Sequence, residues 1–150
     1  MDHIIEKLNP LNIRKYSGQI LDILHSYPDE YWGMDNLLLD LPGKYEYSLV
    51  SVNEETVNGY IIASRRNDTT IHIHKYFVRK DKTGMGVGTA LFFYLKKLAK
   101  KDGVNTISLK VEYDNLKAIA FYSKKGFNKN DTVTDSKTGK YLLVMKIEIL

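Results

Sequence analysis

Residues 82–91, Lys82-Thr83-Gly84-Met85-Gly86-Val87-Gly88-Thr89-Ala90-Leu91, decide the fold of this chain. Before them lies an alternating run rich in β-formers, Thr70 to Arg79; behind them Val87, Ala90, Leu91, Tyr94, Leu95 and Leu98 fall on one helical face. A glycine loop between a strand and a helix start brings backbone N–H groups close to a ligand, because glycine accepts positive φ and carries no Cβ. The helix start adds unpaired N–H donors and a partial positive charge. Together they make a phosphate cradle, although a glycine loop alone also serves as a tight connection.

Three phosphate motifs fail against the letters. A P-loop needs Lys after its last glycine, and none follows Gly86 or Gly88. The dinucleotide fingerprint starting at Gly84 needs glycine where Thr89 stands. A methyltransferase-type loop needs Asp at the position of Lys82, and too few residues follow Gly88 for the repeated βα units of such folds.

Outward from the loop, the chain gives a short strand at 3–7 and a helix from Asn9-Pro10 to His25, with Asn as cap and Pro at the first helical position. A shorter helix is expected over Asp35 to Leu41. Strands follow at Tyr45 to Val52, Val57 to Ser64 and Thr70 to Arg79, the first two joined by a turn at Asn53-Glu54-Glu55. After the loop come a helix to Asp102-Gly103, a buried strand at Thr106 to Val111, a helix from Asn115 to Lys124, and strands from Phe127 and over Lys140 to Ile149. The expectation is an α/β (α+β) domain over 1–150, with a mixed, mostly antiparallel sheet of about seven strands and about four helices on its faces.

Composition narrows the classes. Without cysteine, disulfides and thiol catalysis are excluded and a zinc site loses its commonest ligands. No run of about 18 apolar residues spans a membrane, and the N-terminus lacks secretory character, so a cytoplasmic protein is expected. The net charge of +4 is uneven: residues 1–70 hold 11 Asp/Glu against 6 Lys/Arg, residues 71–150 hold 7 against 16. A basic second half fits a polyanionic partner such as a phosphorylated cofactor, or is a solubilising lysine surface. A nucleic-acid role is disfavoured, since the last 80 residues hold one arginine, Arg79, and no recognisable module.

The loop, Thr83-Gly84-Met85-Gly86-Val87-Gly88, resembles the signature Arg/Gln-x-x-Gly-x-Gly/Ala of the GNAT superfamily of N-acetyltransferases. Downstream, Asn115-Leu116-Lys117-Ala118-Ile119-Ala120-Phe121-Tyr122-Ser123-Lys124-Lys125-Gly126-Phe127 is similar to that family's Asn-x-x-Ala-x-x-Phe/Leu-Tyr-x-Lys-x-Gly-Phe segment, in order and at a typical distance. The likeness is specific over 70–127 and rests on element order before that. Thr83 departs from the family's Arg or Gln; the amides of Gly84 to Thr89 do not depend on that side chain.

The resemblance implies direct transfer of acetyl from acetyl-CoA to a primary amine, without a metal. It implies a cofactor site built from the backbone of Tyr76, Phe77 and Val78, the loop Thr83, Gly84, Met85, Gly86, Val87, Gly88 and Thr89, and Asn115, Lys117, Tyr122 and Lys124. Tyr122 matches the family's general acid, and a phenol with a pKa near 10 suits a leaving thiolate. Asn115 equally reads as a helix cap, and Lys124 as a solvated lysine. His74 stands where many members place a Glu on the fourth strand, and imidazole can serve as base. His72 and His74 share a sheet face by alternation, and two half-exposed strand histidines explain the pair as well. Lys110 replaces a Glu that some amide-forming relatives carry on the fifth strand.

In the stretch expected to roof the acceptor, Asp29 and Glu30 lie beside Tyr31 and Trp32. Carboxylates with aromatic faces suit a cationic amine, whether a small molecule, a lysine or an N-terminus; an acidic helix end packed on the sheet is the competing reading. The remaining alternative is a CoA or acyl-CoA sensor that transfers nothing. A monomer or homodimer fits either.

Overall fold

The computed structural model describes residues 3–149. Its elements run β1 (Ile5–Lys7), α1 (Asn12–His25), α2 (Met34–Leu38), α3 (Lys44–Tyr47), β2 (Leu49–Asn53), β3 (Thr56–Asn67), β4 (Thr70–Val78), α4 (Val87–Lys101), β5 (Thr106–Glu112), α5 (Leu116–Lys124), β6 (Asn128–Thr134) and β7 (Tyr141–Glu148). The strands form one seven-stranded sheet in the order β1-β2-β3-β4-β5-β7-β6, antiparallel throughout except for β4 beside β5. The expected mixed sheet is therefore present, with five α-helices among the described residues instead of about four.

The extra helix corrects the expected strand at Tyr45. Gly43, at φ 72°, turns the chain into α3, and Tyr45 to Tyr47 are helical before β2 begins at Leu49. The aromatic, β-prone letters lose to tertiary anchoring: the buried Lys44 ammonium donates to the carbonyls of Leu37 and, at 2.6 Å, Leu39, satisfying the C-terminal end of α2. At the other end of the domain, the Asn9 side chain does accept from the N–H groups of Leu11 and Asn12, at 2.9 and 2.8 Å, one turn ahead of α1.

Each face of the sheet carries its own core. On one, Leu91, Phe92 and Leu95 of α4 pack on Ile61, Ile71, Ile73, Tyr76, Leu109 and Met145. On the other, Ile13, Tyr16 and Ile20 of α1 pack on Val50, Tyr60 and Ile62. The register slips at His74: Ile73 pairs with Ala63 and Lys75 with Ile62, so His74 is the extra residue of a bulge. That bulge switches the inward positions of β4 from Ile71 and Ile73 to Tyr76 and Val78 on the α4 face.

Parallel pairing of β4 with β5 runs only from Thr70↔Thr106 to Ile73↔Leu109. Beyond it β4 continues to Val78 and β5 to Glu112 without pairing to each other, and the sheet parts there. A cavity opens through this gap.

Candidate active site

A cavity of about 1050 Å³ runs through the parted strands. Its floor and walls include His72, His74, Lys75, Tyr76 and Phe77 of β4, Leu109 to Glu112 of β5, Asn115, Ala118 and Tyr122 around α5, and the segment Tyr27 to Trp32. The fold thus brings together Asp29, Glu30, Tyr31, Trp32, His74, Tyr76, Phe77, Asn115 and Tyr122. Val78 and the glycine loop, Thr83 to Thr89, lie outside the cavity lining and are joined to it through Gly88, which packs against Tyr76.

The loop has the geometry its letters require. Gly84 and Gly86 adopt φ of 79° and 85°, and Gly86 precedes the first residue of α4. A Cβ on Gly84 would meet nothing within 4 Å, which leaves an open backbone surface. Gly88 is the reverse case: a Cβ there would lie 3.3 Å from Val78 Cγ2 and 3.4 Å from the Tyr76 hydroxyl. That hydroxyl donates to the Gly88 carbonyl and ties β4 to the first turn of α4. Thr83 donates to the Lys80 carbonyl at 2.9 Å, so the loop closes on itself without a long polar side chain at this position. The loop, the orphan N–H donors of α4 and the free backbone edge of β4 fit a phosphorylated, amide-bearing cofactor such as coenzyme A.

Tyr122 is half-buried, its ring among Tyr76, Phe121 and Phe127 at centroid distances of 6.2, 5.5 and 5.8 Å. Burial, reinforced by the Glu30 carboxylate, pushes its pKa up to about 12. The phenol is therefore protonated at any physiological pH. Asn115 caps α5, its Oδ1 accepting from the Ala118 N–H at 3.2 Å, and also lines the cavity. Lys117 and Lys124 are exposed and lie outside the cavity lining. It is Lys125 that reaches the start of α4, donating to Thr89 Oγ1 at 3.0 Å across the face of Phe121. Nothing in the letters separates Lys125 from Lys124; helical phase does.

His72 is buried, with Nδ1 2.8 Å from Ser108 Oγ; His74 is half-buried, with Nε2 2.7 Å from Ser64 Oγ. The rings meet edge to face at 5.0 Å, on one side of the sheet as expected. Burial, then the cationic Arg66, drives both pKa values down, to about 3 for His72 and about 4 for His74. Val78, on the backbone edge, has its carbonyl engaged by the Tyr27 hydroxyl at 2.5 Å.

The roof holds a cation, and that cation belongs to the chain. Lys75 Nζ lies 2.5 Å from Glu30 Oε2, 5.1 Å from the Trp32 ring and 6.0 Å from the Tyr31 ring. Asp29 pairs with Lys140 at 3.4 Å, and the same ammonium reaches Glu112 at 3.2 Å. The letters put the carboxylates and aromatics side by side and could not show that Lys75 arrives there from β4 and Lys140 from the connection before β7. Among the described residues no cluster of three or more metal-ligating side chains occurs, and no helix is long and apolar enough to cross a membrane.

Comparison with known proteins agrees with this geometry. The model of the acetyltransferase (GNAT) family matches residues 17–127. An uncharacterized N-acetyltransferase of Methanocaldococcus jannaschii is 41% identical over 61 residues, 41% of this chain and only 27% of that protein, so the match spans about a quarter of the relative's length. Ard1 from Thermoplasma volcanium superposes with a TM-score of 0.85 at 26% identity, over 100% of this chain and 99% of its own. Naa50 from Arabidopsis thaliana, solved with the bisubstrate analogue CoA-Ac-MVNAL, shares the fold with a TM-score of 0.75 at 21% identity, over 97% and 98% of the two chains. With the family model matching most of its length, the chain belongs to the acetyltransferase (GNAT) family.

Proposed function

We propose that the chain is an N-acetyltransferase that moves the acetyl group of acetyl-CoA to a primary amine held in the same cavity. The observation that carries this reading is the parting of β4 from β5, with Tyr122 on one side and the glycine loop at the start of α4 on the other. When bound, acetyl-CoA supplies a thioester whose carbonyl carbon the amine attacks. Residues 84–89 and Lys125 receive its phosphates. N–H groups of β4 beyond Ile73, freed from pairing with β5, donate to oxygen where negative charge develops. Tyr122, protonated throughout the working range, donates a hydrogen bond to the departing sulfur. His74, uncharged at neutral pH, accepts the amine's proton and, being weakly basic, passes it on to solvent. Holding both reactants in one cavity supplies the remaining rate advantage.

The test is thiol release from acetyl-CoA across a panel of primary amines, for the wild type and Tyr122→Phe, with acetyl-CoA affinity measured alongside. The variant should bind the cofactor as before and lose about 10²–10⁴-fold in kcat. Binding with no turnover for any amine would make the chain a CoA sensor. Absence of binding would overturn both.

A further inference from the structure

The cavity has two faces of different charge. On β5, Ile107, Leu109 and Val111 join the core beneath α4, so by alternation Ser108, Lys110 and Glu112 point to the opposite face. His72, bonded to Ser108, lies on that face, and so do His74 and Lys75. This is the face that the Tyr27 to Trp32 segment covers, and it lies across the sheet from α4 and the glycine loop. It is therefore the side open to an acceptor.

Three of the cavity's five carboxylates are engaged by lysines, while Asp114 and Asp135 line it without an ion pair among the described residues. Glu30 is held by Lys75, and Asp29 and Glu112 share Lys140. Two cations remain. Arg66 and Lys110 both line the cavity, both are exposed, and neither makes a salt bridge or hydrogen bond among the described residues. They flank the pair His72 and His74, and their charge is felt there, since both depress the imidazole pKa values. Next to the neutral imidazoles and the parted strands the unpaired charge is thus positive: Arg66 and Lys110 act on both rings, and neither Asp114 nor Asp135 does.

We infer that the acceptor is an amine that also bears an anionic group, a carboxylate or a phosphate, which Arg66 and Lys110 hold while the amine faces the gap between β4 and β5. This rests on the transferase reading and narrows its substrate class. A cationic acceptor would meet Lys75 where its charge needs a carboxylate, and Arg66 and Lys110 would repel it. An anionic one gains charge-assisted hydrogen bonds without displacing any pair.

Four amines of similar size decide the matter: γ-aminobutyrate, aminoethyl phosphate, aminobutanol and putrescine. With acetyl-CoA and the full chain at low salt, kcat/KM for one of the two anionic amines should exceed that for aminobutanol by about tenfold or more, with putrescine lowest. The better anionic amine tells carboxylate from phosphate. Arg66→Gln and Lys110→Gln together should bring the ratio close to one, and Arg66→Lys should restore part of it. Unchanged melting temperatures would show that the variants fold. The same amines titrated against the His74 ring-proton NMR signals, with CoA present, rank binding without turnover. Equal rates and shifts for all four, or a preference for putrescine, would overturn the inference and leave the transferase reading intact. If no amine is acetylated, the transferase reading fails, and anion-selective shifts abolished in the double variant would still support the charge assignment.

Discussion

His72 on β4 and Ser108 on β5 stand opposite each other in the parallel pairing, Nδ1 2.8 Å from Oγ, one rung before the strands part. The bond fastens the closed end of the cavity, and it places a titratable ring where water is excluded. His74, beside it, repeats the arrangement with Ser64. With folded pKa values near 3 and 4, against about 6.5 in the unfolded chain, both rings refuse protons that the unfolded state accepts. At pH 7 and above neither state is charged, and the full stability is present. Below about 6.5 the unfolded chain takes up more protons, so stability falls by at most about 1.4 kcal/mol per pH unit for each ring, less for the half-buried His74, until the folded rings titrate. Urea denaturation of the wild type at pH 7 and pH 5 should show a lower midpoint at pH 5. His72→Asn should flatten that slope. Identical slopes for the two proteins would show that His72 does not carry the effect.

Much of this architecture is legible in the letters because local rules and tertiary demands coincide. Around the glycine loop, Gly84 and Gly86 are positions of positive φ, and the apolar stripe of α4 is what the sheet buries. At Asn115 the cap signal and the cavity lining fall on one residue. The letters mislead where a distant partner decides. Tyr45 to Tyr47 read as strand and fold as helix because Lys44 is drawn under α2. The bulge at His74 has no signature in an unbroken alternating run. The acidic and aromatic roof is visible from Asp29 to Trp32, and its filling by Lys75, 45 residues away from Glu30, is not.

Gly59 is a residue whose importance only packing discloses. A Cβ there would lie 2.9 Å from Val87 Cγ1 and 3.0 Å from the Phe77 carbonyl oxygen, the first too close for any real contact. The missing side chain is what lets α4 settle on β3 at the start of the glycine loop. Gly59→Ala should cost about 1–3 kcal/mol in urea denaturation, as overpacking does, and weaken acetyl-CoA binding by displacing the N-terminus of α4. A variant as stable as the wild type would show that α4 yields without cost.

The helix that carries Tyr122 is poorly buried. No residue of α5 is fully buried, Leu116 is 74% exposed, and only Ala118, Ile119 and Tyr122 lean on the core. A segment with so few buried contacts opens more readily than the sheet. A ligand seated between α4 and α5 would supply the missing contacts. At a hundredfold excess over Kd, coenzyme A should raise global stability by about 2.7 kcal/mol. Amide exchange over residues 116–124 should slow more than exchange over residues 128–132 of β6, none of which lines the cavity. Equal protection of the two segments would place the ligand elsewhere.

Lys75 offers the sharpest change of specificity. Its ammonium and the Glu30 carboxylate are 15% and 19% exposed, so each is the other's principal compensation. Lys75→Met keeps the stem and removes the charge, leaving Glu30 largely buried beneath Trp32 without a partner. Stability should fall by about 1–3 kcal/mol, the cost of stranding a hydrogen-bonded group, with solvent access keeping it below the value for a fully buried pair. A stranded carboxylate beside two aromatic faces is also a cation site. Putrescine, which the wild type is expected to disfavour, should therefore gain in kcat/KM relative to aminobutanol in the variant, and millimolar putrescine should recover part of the lost stability. Glu30→Gln, Lys75→Met, which removes both charges, should show neither effect. A gain that survives in the double variant would mean that the aromatic rings alone select the amine.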